Sequence, residues 1–312
     1  MVYAYSPVTT CHLLLNQNTW SSRTALLRKS KNEESKANHH SFNFQGFELS
    51  RVFLPFCCKD LTPIMYQWNL PYRKDDLEAG GGSRSRPLYP TMHETPELRW
   101  GFIRKVYSII AFQLLATIAV SATVVTVRPI ALFFATTGAG LGLYIVIIIT
   151  PFIVLCPLYY YHQKHPVNYL LLGVFTLALA FVVGLTCTFT NGKVILESAI
   201  LTTVVVLSLT VYTFWAAKRG YDFNFLGPFL FGALIVLVVF AMIQVFFPLG
   251  RTSVMIYGFL ASVIFCGYIV YDTDNLIKRY TYDEYIWAAV SLYLDIINLF
   301  LSLLTIFRAL QR

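Results

Sequence analysis

Charge is what this sequence lacks. Only 13% of its 312 residues are Asp, Glu, Lys or Arg, while 56% are hydrophobic. An ordinary soluble domain carries about 25% charged residues, so this chain cannot clothe a water-facing surface. The shortage excludes a soluble globular protein and leaves an integral membrane protein with several helical spans. Histidine is missing where it would matter: His12, His39, His40, His93, His162 and His165 all lie outside the apolar runs. That disfavours an intramembrane zinc hydrolase. No lysine interrupts the last apolar run, so a retinal Schiff base has no nucleophile. There is no G-x-S-x-G elbow and no GxGD turn, and GAGLG at 138–142 lacks the strand–helix setting of a phosphate loop. We therefore expect no enzyme and no bound cofactor.

Other absences narrow the reading further. The six cysteines form no CxxC pair, and Cys156, Cys187 and Cys266 sit inside apolar runs, which suits buried small residues better than disulfides or zinc ligands. No N-x-[ST] acceptor is present. The net charge of +8 does not point to nucleic acid, because the basic residues gather in the N-terminal third and between apolar runs. Such placement suits topology signals and anionic lipid headgroups.

The chain divides unequally. Residues 1–95 are rich in Ser, Asn, Arg and Lys, include GGGSRSRP at 80–87, and read as a disordered basic region. The first 30 residues loosely resemble an organelle transit peptide, but we read 1–64 as an upstream extension, with Met65 the expected start. Residues 96–312 form the transmembrane domain. Apolar runs at 106–127, 141–161, 169–189, 195–216, 226–247, 252–271 and 285–307 give seven expected helices, since 20 residues rise about 30 Å. Arg128-Pro129 and the glycines of TTGAGLG break the stretch before the second span. Six spans with a re-entrant last segment is the rival, because Asp295 weakens the seventh run. Lys and Arg collect at Arg99, Arg104, Lys105, Lys164, Lys218, Arg219, Lys278 and Arg279 on one side. They are sparser at Arg128, Lys193, Arg251, Arg308 and Arg312 on the other, which predicts a cytosolic N-terminus.

The stretch SLYLDIINLFLSLL at 291–304 carries the chemistry. An aspartate at mid-span costs about 2.5–3.5 kcal/mol on insertion scales, so Asp295 must face inward, carry a proton or have a partner. Ser291, Asp295, Asn298, Ser302 and Thr305 step by four and three along one helical face. The expected partner is Asp272, at the cytosolic edge of the sixth run, although Asp295 lies about 15 Å deep and contact requires Asp272 to be drawn inward or Asp295 to sit shallower. If the two acids meet in a dry setting they do not both ionise cheaply and share a proton. The plainer alternative makes Asp295 and Asn298 packing glue between helices. Glu197 reads as an interfacial acid, Gln113 and Gln244 as interhelical hydrogen-bonders, and Asp274, Asp283 and Glu284 as loop acids. Tyr159, Tyr160, Tyr161 and Trp215 fit an interfacial belt, and Pro151 and Pro157 are expected to kink the second span. Carboxylate and amide oxygens suit a hard cation, calcium ahead of potassium, so a proton-sensitive cation pathway is the first functional expectation.

The segments HPVNYLLLGVFT, GKVILESAILTTVVVLSLT, YDFNFLGPFLFG, IVYDTDNLI and YDEYIWAAVSLYLDIINLFLSLL resemble the transmembrane Bax inhibitor motif family, most closely its plant LIFEGUARD branch, over 66–312. The resemblance implies a seven-helix bundle with the last helix near the centre. It also implies a pH-dependent calcium leak, opened by acid, that suppresses stress-induced programmed cell death. The family's paired aspartates fall on Asp272 and Asp295, with Asn298, Ser291 and, more weakly, Glu197 in support. The basic latch that some bacterial members carry on the second helix has no counterpart here. Expected partners are the lipid bilayer, calcium and cell-death regulatory or receptor proteins. The endoplasmic reticulum is the first expected location, with vacuole and plasma membrane open. A non-conducting adaptor and a proton-coupled cation exchanger are the rival functions.

Overall fold

A computed structural model describes residues 88–90, 95–247 and 250–311. Apart from 88–90 and 95, the expected N-terminal region 1–95 and its extension 1–64 lie outside the described residues. The helices are α1 (Pro96–Thr126), α2 (Arg128–Thr136), α3 (Gly138–Tyr161), α4 (Val167–Thr188), α5 (Gly192–Lys218), α6 (Leu226–Phe246), α7 (Arg251–Lys278) and α8 (Tyr285–Gln311). Seven of them, all but the nine-residue α2, are long and apolar enough to cross a membrane.

Local chemistry explains several boundaries. Proline opens α1 with Glu97 in its first turn, where the missing N–H costs nothing and the helix dipole favours an acid. Asn191 caps α5 by accepting from the Lys193 amide at 3.2 Å. The expected break before the second span is real: Thr137 is extended between α2 and α3. A Cβ on Gly140 would lie 2.2 Å from the Phe133 carbonyl oxygen, so α3 can fold back on α2 only through a glycine. The α3 helix runs on through both Pro151 and Pro157.

The last helix is the axis of the bundle. In its apolar stretch 78% of residues are buried, against 17–61% in the other six spans. It packs along α7 and also touches α1 and α5. With 27 residues it rises about 40 Å, enough for a full crossing rather than a re-entrant loop. The outer helices turn residues such as Phe112, Val211 and Phe229 outward, as a lipid-facing surface requires. Polar side chains tie the helices together: Gln113 Nε2 donates to Thr176 Oγ1 at 3.0 Å, and Gln244 Nε2 to Ser253 Oγ at 3.1 Å. Both glutamines are interhelical hydrogen-bonders, as expected. Tyr159, Tyr160, Tyr161 and Trp215 stand exposed where α3 and α5 end. That near end also holds the start of α1 and the α7–α8 turn.

Candidate functional site

Asp272 on α7 is 3% exposed and Asp295 on α8 is 1% exposed. The Ser291 hydroxyl donates to Asp272 Oδ2 at 2.6 Å, joining the two helices. Ser291 and Asp295 are four residues apart on α8, hence on one face and separated by about 6 Å of rise. Asp272 thus meets the polar face of α8 one turn from Asp295.

This arrangement corrects the depth expected for Asp272. The sixth apolar run ends at Tyr271, but α7 continues to Lys278. Asp272 therefore sits six residues inside α7, and Ser291 sits six residues inside α8. Each is about 9 Å from its helix end, so the two come level without any inward distortion. Asp274 is the second correction: it lies in α7, 1% exposed, not in a solvated loop. Lys278 Nζ reaches Asp274 Oδ1 at 2.6 Å, and the Phe223 amide donates to Oδ2 at 3.3 Å. Lys278 also donates to the Tyr221 carbonyl at 2.5 Å, while Arg279 bonds Asp222 at 2.9 Å and Asn224. The α5–α6 loop is held against the end of α7 by these bonds. Asp283 stays exposed, and Glu284 accepts from the Thr281 amide at 2.9 Å in a capping box ahead of α8.

Deeper on α8, Asn298 and Ser302 are buried, and Ser302 Oγ donates to the Asn298 carbonyl at 2.7 Å. The expected stripe faces the interior, and so does nearly every other side of the helix. Glu197 is not brought to this group. It stands near the start of α5 at the far end, its side chain 41% exposed and 3.9 Å from Lys193.

By position in the sequence Arg99 is only a topology charge. It is 2% exposed, donates from Nε to the Ile277 carbonyl at 2.9 Å and from an Nη to the Tyr280 carbonyl at 2.6 Å. The available signal was a cation within the first turns of a helix, where the dipole disfavours it. Such a residue needs a partner elsewhere. Tyr280 was also missed. Burial first, then the Asp272 charge, holds its phenol far above the usual tyrosine range, while a hydrogen bond with Ser291 works the other way.

The chemistry on offer is two enclosed carboxylates with neutral Ser and Asn oxygens on the same helix face. Among the described residues no cluster of three or more His, Cys, Asp or Glu is placed to hold a metal ion. A bundle of seven apolar helices around an acid-bearing axis defines a polytopic integral membrane protein. The family model described as inhibitor of apoptosis-promoting Bax1 matches residues 99–312. Protein LIFEGUARD 3 of Arabidopsis thaliana is 86% identical over 248 residues, 80% of this chain and the whole of that protein. Protein lifeguard 4 of Mus musculus is 36% identical over 215 residues, 69% of this chain and 87% of that protein. The Golgi anti-apoptotic protein of Vaccinia virus (strain Lister) is 34% identical over 240 residues, 74% of this chain and 91% of that protein. The chain belongs to the Bax inhibitor-1/LIFEGUARD family of anti-apoptotic, non-catalytic membrane proteins, and to its plant LIFEGUARD branch.

Proposed function

We propose that this protein is a pH-responsive calcium leak of an internal membrane that restrains stress-induced cell death. The observation that carries the reading is the Ser291–Asp272 bond, which fixes one buried carboxylate between α7 and α8 a single turn from another, Asp295. In this reading Asp272 and Asp295 exchange a proton, and protonation removes the negative charge that holds a divalent cation at the pair, so that acid releases it along α8. Ser291 and Asn298 supply neutral oxygens. Glu197, beside Lys193, contributes only to the charge of the far surface. The near end, with Arg99, Arg104, Lys105, Lys164 and Lys218, faces the cytosol by the positive-inside rule. The name of the viral relative supports a membrane of the secretory pathway.

The test is calcium flux into liposomes carrying the purified protein at two pH values. Flux should be greater at the acidic value, and Asp295→Asn should flatten the difference. An unchanged pH profile in Asp295→Asn would end the paired-acid mechanism. No flux at either pH would favour a non-conducting adaptor, and flux that needs an opposing proton gradient would favour an exchanger.

A further inference from the structure

The turn between α7 and α8 lies over the near end of the Ser291–Asp272 bond, and it is tied down from a third helix. Arg99 of α1 holds two main-chain carbonyls of this segment, Ile277 at 2.9 Å and Tyr280 at 2.6 Å. Its guanidinium carbon lies 5.6 Å from the Phe102 ring centre and 5.8 Å from that of Tyr282, and those two rings meet edge to face at 5.7 Å. Among the described residues Arg99 has no carboxylate partner. A cation this buried is costly without one, and the carbonyl end of the α7 dipole is what offsets the cost. The turn is drawn tight on its own side too: the amides of Arg279 and Tyr280 both donate to the Asn275 carbonyl, at 2.8 and 3.0 Å. Tyr280 packs its ring against the buried core, and the turn that carries it joins the two helix ends six residues beyond Asp272 and six before Ser291.

We infer that Arg99 is a positioning residue that locks the α7–α8 turn, and with it the Tyr280 ring, as a plug over the near end of the Asp272 site. Water or a cation approaching Asp272 from this end must displace Tyr280, and the turn lifts only when both Arg99 bonds break. The inference rests on reading Asp272 and Ser291 as the site, but it concerns access to them and not what passes.

Thiol labelling separates the two questions. The full chain in lipid nanodiscs carries Ser291→Cys, with Cys187 kept and the other five cysteines changed to alanine. Cys187 is buried near the end of α4, at the far end of the bundle, and reports unfolding. A charged methanethiosulfonate reagent is added and both sites are followed by mass spectrometry. Arg99→Gln should speed labelling at 291 by about tenfold, the signature of local opening, while Cys187 stays silent. Arg99→Lys, which retains one donor arm, should fall between. Tyr280→Ala should give the same rise with α1 untouched, and it decides the matter if Arg99→Gln does not fold. Labelling at 291 that stays at the parent rate in these variants, or that rises only together with Cys187, overturns the plug. Because no calcium flux is measured, a protein that conducts nothing still reports whether the plug exists.

Discussion

Lys278 closes on Asp274 one turn earlier in α7, Nζ to Oδ1 at 2.6 Å, with the carboxylate side chain 1% exposed and the lysine 13%. Removing one partner of a buried pair strands the other charge and costs about 3–5 kcal/mol, whereas replacing both with neutral groups is often close to neutral. We therefore expect Lys278→Met to lower stability by about 3 kcal/mol and Lys278→Met with Asp274→Asn to regain more than half of that. Denaturant unfolding in micelles measures both. A double variant as weak as the single one would show that Lys278 acts through the Tyr221 carbonyl instead.

Tyr280 gives the protein an alkaline limit. Burial and, behind it, the Asp272 carboxylate raise its phenol well above the usual tyrosine range. The folded protein thus keeps a proton that the unfolded chain releases. The stability from this source is complete below about pH 10 and is lost as pH rises further. Each such group contributes at most about 1.4 kcal/mol per pH unit. Melting temperatures from pH 9 to 11 should fall less steeply in Tyr280→Phe than in the parent; parallel curves would contradict the assignment.

The polar bonds of α1 are unequal. Thr117 Oγ1 donates its hydrogen to the Gln113 carbonyl at 2.8 Å, so the 2.7 Å bond to Tyr293 must use the tyrosine as donor. Thr117→Val leaves that buried phenol without its acceptor and should cost about 1–2 kcal/mol. Gln113→Leu should cost less, because Thr176 still donates to the Leu172 carbonyl at 2.8 Å. The order of the two unfolding midpoints is the check.

Much of this was legible beforehand, and the exceptions share a cause. Long apolar runs announce spans because backbone groups in lipid can be satisfied only within a helix. The four-and-three spacing of Ser291, Asp295 and Asn298 announced an inward face for the same kind of reason. Asp274 was misplaced because hydropathy treats every acid at the end of a run as exposed. The pattern Asp274-x-x-x-Lys278 was the corrective, since that spacing puts the two charges on one face. The helix-end cation flags Arg99 as needing a partner, but neither that partner nor the role of Tyr280 can be read locally. Both depend on α1 meeting the α7–α8 turn, and no period within one helix encodes which helices will be neighbours.

The glycines of α7 and α4 offer a sharper contrast. A Cβ at Gly258 would lie 2.8 Å from Ile306 Cγ1 and 3.2 Å from the Ser302 carbonyl oxygen on α8, whereas at Gly173 nothing lies within 4 Å. Close approach of backbones through small residues is how helices gain contact inside a membrane. At position 258 the obstacle includes main chain, which cannot swing aside, so Gly258→Ala must push α7 off the central helix below the acid pair. Overpacking of this kind costs about 1–3 kcal/mol. Gly173→Ala meets no obstacle and removes a helix-weakening residue, which should leave stability unchanged or raise it by about 0.5–1 kcal/mol. Opposite signs in a thermal-unfolding comparison are the expected result, and a neutral Gly258→Ala would mean that α7 and α8 are held apart more loosely than these distances require.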